Sequence, residues 1–204
     1  MVGKKRGWIV GVAMVAAAAL SACGGEPAAP PQGSIALSDE FKVDFNLVNQ
    51  DRAPVSNADL KGKTALVYFG YASCPDVCPL ALGRMSAALN DLTDAERAHV
   101  APVFITVDPA RDTPAKLKTY LSFDPRITGL SGDAAAVEHA MEGFKVYARA
   151  QPVADSKAGY EVQHSSLFYL VDPDGSLRFA LEDTMEPGDV AEAVRQSLKR
   201  GKTL

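Results

Sequence analysis

The chain carries 204 residues, with 21 Lys and Arg against 25 Asp and Glu and a net charge of −4. No basic run lies outside the first few residues, which argues against nucleic acid as a partner. The length suits one domain with a sizeable core, and no internal repeat divides it.

Lys4, Lys5 and Arg6 form a positive cluster, and an uncharged apolar run follows over residues 8–20. A membrane span needs about 20 apolar residues, so this run is short for one. Residues 1–22 read as a secretory signal peptide. The run ends in Leu20-Ser21-Ala22-Cys23, similar to a bacterial lipobox, in which the Cys is acylated and becomes the first mature residue. Cys23 is thus the expected lipid anchor. The rest of the chain is expected outside the cytoplasm, membrane-anchored on the periplasmic side of a bacterial cell. From residue 24 to about 34 the composition is Gly, Ala, Pro and little else. Such a segment cannot bury enough apolar surface to offset its ordering entropy. Residues 23–40 are expected to be the lipidated Cys and a flexible tether, and residues 41–204 the folded domain.

In the domain, residues 45–48 and Val55 predict a short opening hairpin. Residues 65–71 are apolar and rich in β-branched and aromatic side chains, the mark of a buried strand. Leu80, Leu82, Met85, Leu89 and Leu92 then recur near helical spacing. A second strand is predicted over 103–107. Thr113-Pro114 opens a second helix through Tyr120, with Thr as N-cap and Pro at the first helical position. A third helix is predicted over Ala134–Phe144. Residues 166–171 and 177–181 flank the turn signal Pro173-Asp174-Gly175 and predict a hairpin. A last helix runs from about Pro187 to about Gly201. Strands joined by helices imply parallel pairing with right-handed crossovers. The expected class is α/β: a thioredoxin-like fold with a central mixed sheet, flanking helices and an N-terminal β-hairpin.

The chain has 3 Cys, and lipidation would consume Cys23. Cys74 and Cys78 remain. A pair four positions apart closes a tiny loop and removes little unfolded-state entropy, so it points to chemistry rather than to stability. The pair follows the first strong strand and opens the first long helix, where open α/β sheets place their ligands. Cys78 sits at the helix N-terminus, whose dipole favours a thiolate there. Two chemistries use such a pair, thiol–disulfide exchange and binding of a soft metal, and the spacing does not decide between them. A peroxidase reading, whose pattern sets a Pro and a Thr or Ser ahead of the reactive Cys, fails because Gly70-Tyr71-Ala72-Ser73 before Cys74 lacks that Pro. A third ligand decides more. His99 and His139 read as surface residues, whereas His164 stands directly before the strand at 166–171, at the end of an irregular loop. In a thioredoxin layout that loop faces the cysteine motif and usually carries a cis Pro; His164 takes its place. Two thiolates and an imidazole suit copper or zinc. A structural zinc wants a fourth ligand, for which only Asp76 or a water offers itself. Copper tolerates three-coordination better.

Three motifs resemble the Sco/SenC family of copper chaperones for cytochrome c oxidase assembly. They are Gly-Tyr-x-x-Cys-Pro-Asp-Val-Cys-Pro at 70–79, Val-Asp-Pro-x-Arg-Asp-Thr-Pro at 107–114, and Tyr160-Glu161-Val162-Gln163-His164 before a strand ending in Asp172-Pro173-Asp174-Gly175. The region from Phe45 to Gly62 also resembles the family's entry region. The family usually has Thr or a similar residue where Ala72-Ser73 stands. The resemblance implies that Cys74, Cys78 and His164 ligate a copper ion. It also implies delivery of that ion to the copper-accepting subunit of a terminal oxidase, and an upstream copper donor or reductant. The alternative is a thiol–disulfide reductase in which Cys74 and Cys78 are the redox-active pair that keeps the acceptor's cysteines reduced. Asp108 and Asp112 fit two readings equally, a turn with a helix-start charge or the surroundings of the copper site, and neither is expected to be a ligand.

Overall fold

The computed structural model describes residues 33–37, 41, 43–153 and 159–201, with Gly3 and Pro30. Cys23 and, Gly3 apart, the signal segment lie outside the described residues. The first strands are β1 (Ser34–Ala36), β2 (Asn46–Asn49) and β3 (Pro54–Ser56), followed by a short 3-10 turn at Asn57–Leu60. Then come β4 (Thr64–Gly70), α1 (Val77–Asp91), α2 (Asp94–Arg97), β5 (Val100–Thr106), α3 (Pro114–Tyr120), β6 (Thr128–Ser131) and α4 (Ala134–Phe144). The chain closes with β7 (Ala148–Pro152), β8 (Tyr160–His164), β9 (Leu167–Val171), β10 (Leu177–Glu182) and α5 (Pro187–Gly201).

Eight strands form one mixed sheet in the order β1-β10-β9-β4-β5-β6-β2-β3. β4, β5 and β6 run parallel, and the remaining pairs are antiparallel. β4 is buried at every position, as a strand covered on both faces must be. α1 and α5 pack on each other, and α5 lies over β4 and β9; α3 and α4 cover β6 and β2. Alternate residues of β4 serve two aromatic layers. Tyr68 meets Phe104 and Phe168 on neighbouring strands, at 6.5 and 5.3 Å between ring centroids. Phe69 meets Tyr169 and Phe144 of α4, at 5.8 and 5.1 Å. The result is the expected thioredoxin-like α/β fold. Thr113 caps α3 as expected, its Oγ1 accepting from the Lys116 N–H. Among the described residues no helix is long and apolar enough to cross a membrane.

The sequence reading differs from the structure in three places. Ser34–Ala36, assigned to the tether, pairs antiparallel with β10, because the edge of that strand offers its backbone groups a ladder. β6 was not expected, since Gly129 weakens a strand pattern. A Cβ there would stand 2.6 Å from Leu121 Cδ1, so close packing on α3 and the turn after it excludes any larger residue. The segment before His164 is not an irregular loop. β7 and β8 form a separate two-stranded sheet, hidden in the sequence because only Val162 of its residues is buried.

Candidate metal centre

β4 ends at Gly70, and the chain leaves the sheet through residues 71–76 into α1. Gly70 is required here: a Cβ would lie 2.9 Å from Cys78 Sγ and 3.0 Å from Phe104. Its carbonyl accepts from the Val107 N–H at 2.8 Å, tying the start of the loop to the end of β5. Cys78 is fully buried in the first turn of α1, and Cys74 is 7% exposed in the loop. Both thiols are free.

The two thiols are neighbours and are shifted in opposite directions. The neighbouring Cys78 thiol, the backbone N–H groups of Asp76 and Cys78 and the Tyr71 hydroxyl lie near the Cys74 sulfur and together push it down to about 5 against its burial. Cys78 is pushed up, because its proton is held by Cys74 and its site is dry. Of the pair it is Cys74 whose thiol is pushed down. The helix amides aim at the sulfur that precedes the helix, as an N-terminal dipole aims at an anion outside it.

His164 ends β8 and faces this pair. Its Nε2 lies 3.5 Å from Cys78 Sγ. Its Nδ1 donates to the Ser165 carbonyl at 3.0 Å, which leaves Nε2 as the nitrogen with a lone pair toward the sulfur. Tyr68 and Tyr71 stand edge-on to the imidazole at 6.2 and 6.0 Å and fix its plane. Metal–sulfur and metal–nitrogen bonds of about 2.3 and 2.1 Å, the lengths zinc takes, would set the two donors about 3.6–3.8 Å apart. The Cys78–His164 spacing suits that. Among the described residues no three His, Cys, Asp or Glu side chains are drawn into a closed metal-binding group. His99 and His139 are exposed and remote; His139 Nε2 meets only Asp44 at 3.3 Å.

The 107–114 motif braces both halves of the site. Asp112 is fully buried, and its Oδ2 accepts from the Ala72 N–H and the Thr106 hydroxyl, each at 2.8 Å. Lys116 Nζ lies 3.0 Å from Asp112 Oδ1 and donates to Ser73 Oγ at 2.7 Å. These bonds hold the cysteine loop. Asp108, 5% exposed, pairs with Arg111 Nε and accepts from the Tyr160 hydroxyl at 2.8 Å, which holds β8. Of the two readings of the aspartates, surroundings of the site is the one their bonds support, and neither reaches a sulfur.

A cleft of about 700 Å³ opens over Cys74, lined by Cys74, Asp76, Val77, Gln151, Glu161 and His164 among others. Val77, which lines it, and Leu80, three residues on in α1, are large apolar residues left exposed. Sequence reasoning missed Tyr68 and Asp183. The Tyr68 hydroxyl meets Cys78 and lies 3.4 Å from Asp183 Oδ2. Burial raises the carboxyl of Asp183. A tyrosine within a buried strand carries no sign that its hydroxyl reaches a site, and Asp183 lies far from every motif.

The SCO1/SenC family model matches residues 34–199. The chain is 38% identical to the mitochondrial SCO2 protein of Saccharomyces cerevisiae over 168 residues, 82% of this chain and 54% of that protein. It thus spans about half the length of that relative. Among solved structures it resembles copper-bound ScoI of Bradyrhizobium japonicum, with a TM-score of 0.71 and 38% identity over 78% of this chain and 99% of the other. It also resembles BsSco, described as carrying a disulfide switch and as a member of the Sco family of cytochrome c oxidase assembly proteins. That likeness has a TM-score of 0.62 and 28% identity over 78% and 94% of the two chains.

Proposed function

The chain belongs to the SCO1/SenC family, and on that premise we propose that it is a copper-binding assembly factor for a terminal oxidase. It holds one copper ion through Cys74, Cys78 and His164 and passes the ion to the copper-accepting subunit. The observation that carries this reading is the imidazole of His164, set 3.5 Å from Cys78 Sγ with its other nitrogen committed to a carbonyl. A dithiol that only exchanges disulfides has no use for such a nitrogen. Two thiolates and an imidazole are soft to borderline donors that suit copper. The cleft gives an incoming ligand access to Cys74 and His164, so transfer starts at those two donors and replaces one donor at a time.

The test is copper analysis of the reduced protein. It should bind about one ion, with intense thiolate charge-transfer absorption when the ion is Cu(II). Either Cys→Ala change should abolish tight binding, and His164→Ala should weaken it and alter the spectrum. An unaltered spectrum in His164→Ala removes that residue from the site.

A second reading is supported by the depressed thiol of Cys74 beside the protonated Cys78. Cys74 thiolate would attack an acceptor's disulfide, expel one acceptor thiolate and form a mixed disulfide. Cys78, losing its proton, would then close the Cys74–Cys78 bond and release the second acceptor thiol. Two electrons pass to the acceptor, and the pair must be re-reduced by an upstream thiol. Complementation separates the readings. A strain lacking the protein should lose oxidase activity when copper is scarce and regain it with added copper. Full complementation by His164→Ala at low copper favours the reductase.

The protein is anchored, on our reading, through acylated Cys23 on the periplasmic side of a bacterial membrane. The support is the positive cluster, the short apolar run and Leu20-Ser21-Ala22-Cys23. Cys23→Ser should move the processed protein from the membrane to the soluble fraction; retention after signal cleavage contradicts a lipid anchor.

A further inference from the structure

The β7–β8 hairpin carries His164 yet joins neither edge of the eight-stranded sheet. Its strands pack mainly on each other. A cavity of about 400 Å³ separates its inner side from the body, lined by Val107, Pro109, Met141, Tyr160 and Val162 among others. An element with so little buried apolar contact belongs to the low-stability end of a fold. Holding one imidazole at ligand distance then needs a specific fastening.

That fastening centres on Arg111. Its Nη1 donates to the Tyr160 carbonyl at 2.9 Å, at the first residue of β8. Its guanidinium lies 3.7 Å from the centroid of the Tyr160 ring, a close cation–π stack. Its Nε pairs with Asp108 Oδ2, while Asp108 Oδ1 accepts from the same tyrosine's hydroxyl at 2.8 Å. Backbone, ring and hydroxyl of Tyr160 are thus all engaged by two residues of the β5–α3 loop. The guanidinium also lies 5.7 Å from the Tyr71 ring, which stands edge-on to His164 at 6.0 Å, and the Tyr71 hydroxyl meets the Val162 backbone. Arg111 therefore touches both the cysteine loop and the hairpin. The loop that fixes Ala72 through Asp112 is the loop that fixes Tyr160 through Arg111.

We propose that Arg111 is a positioning residue for the copper site: with Asp108 and Tyr160 it latches the hairpin and sets whether the His164 imidazole reaches an ion held by the two sulfurs. The inference rests on the reading of Cys74, Cys78 and His164 as ligands. Its consequence depends on oxidation state. Cu(I) is well served by two thiolates, whereas Cu(II) draws more from nitrogen donors. Loosening the latch should thus cost Cu(II) binding more than Cu(I) binding.

The experiment compares Arg111→Ala, Arg111→Lys, Tyr160→Phe, His164→Ala and the Arg111→Ala/His164→Ala double variant in the full chain. Two readouts are used. The first, without metal, is amide hydrogen exchange in β8. The second is Cu(II) affinity, with nitrogen coupling in the Cu(II) electron paramagnetic resonance spectrum. Arg111→Ala should speed exchange across β8, weaken the nitrogen coupling and lower Cu(II) affinity about tenfold, the scale of one desolvated cation–π contact. Lys lacks the planar fork and should not restore these properties. Tyr160→Phe keeps the stack and the carbonyl bond and should fall between. The double variant should bind Cu(II) no more weakly than His164→Ala alone, because the latch acts only through the imidazole. If Arg111→Ala does not fold, Arg111→Lys and Tyr160→Phe carry the same comparison. Unchanged β8 exchange and coupling in the Arg111 variants, or additive losses in the double variant, overturn the latch. An unchanged copper spectrum in His164→Ala overturns the ligand reading beneath it, and the exchange readout still reports on the fastening itself.

Discussion

Cys74 and Cys78 share one loop, but the donors around them divide their roles. Cys78, two backbone amides and the Tyr71 hydroxyl push Cys74 down, whereas Cys74 and burial push Cys78 up against the Tyr71 amide and the Tyr68 hydroxyl. In the reduced metal-free protein, iodoacetamide should therefore modify Cys74. Its rate should rise with pH through about 5 and level off well before the 8.5 of a free thiol. Peptide mapping and a pH–rate profile check both points; labelling at Cys78, or a midpoint near that of a free thiol, contradicts them. The sign for stability follows. A folded-state value below the unfolded 9.0 makes ionised Cys74 stabilising above the unfolded value, and the contribution fades as pH falls through about 5. The raised Cys78 acts in the opposite sense, stabilising below its unfolded value and losing this as pH rises. The candidate residues were legible from type and position, because thiols and histidines are scarce in this chain. Which sulfur ionises was not, since it depends on where the first amides of α1 point.

The end of β4 is where strand and helix must meet closely. Gly70 lets Cys78 Sγ pack directly on the strand, with Phe104 and Tyr68 on either side. Gly70→Ala places a methyl 2.9 Å from that sulfur, and neither ring can retreat within a filled core. Overpacking of this kind costs about 1–3 kcal/mol. The expected outcome is a lower denaturation midpoint together with a shifted copper charge-transfer band, because the displaced atom is a proposed ligand. A destabilised protein with an unshifted band would show that Cys78 Sγ need not sit where the structure has it. The same element scale explains which strands the sequence revealed. β4, β5 and β9 announce themselves by burial at nearly every position. β7 and β8 expose most of their side chains, so no apolar pattern marks them, although they carry His164.

At the other pole of the molecule a polar hub closes the fold. Asp172 ends β9 at 4% exposure, and its carboxylate accepts from Ser197 Oγ at 2.6 Å and from Arg200 at 2.8 and 2.9 Å. Arg178 Nε joins at 3.3 Å, and Ser197 Oγ reaches Thr64 Oγ1 at 2.9 Å. The hub thus ties α5 and β10 to the start of β4. The cysteine loop leaves the far end of that strand, about 20 Å away at about 3.3 Å per residue. Asp172→Ala leaves two arginines facing a buried hole. Both are partly exposed, so the loss should be about 2–3 kcal/mol, below that of a fully buried pair. Urea denaturation should show this loss while the folded variant keeps the parent copper spectrum. An altered spectrum would mean that the two poles are coupled through β4.

The chain's own order of residues determined the parallel core, the place of the cysteine pair at a strand end, the cap of α3 and the candidate ligands. Each of these depends on local periodicity, turn chemistry or residue type. Only the tertiary structure decided that Ser34–Ala36 joins the sheet, that the segment before His164 is a hairpin, and that Asp108, Arg111 and Asp112 brace the two halves of one site. The first and last of those facts rest on contacts between residues 40 to 150 positions apart, and the hairpin, though local, exposes most of its side chains. Such contacts exist only once the core has brought the loops at the ends of β4, β5 and β8 to the same edge of the sheet, and no local signal encodes them.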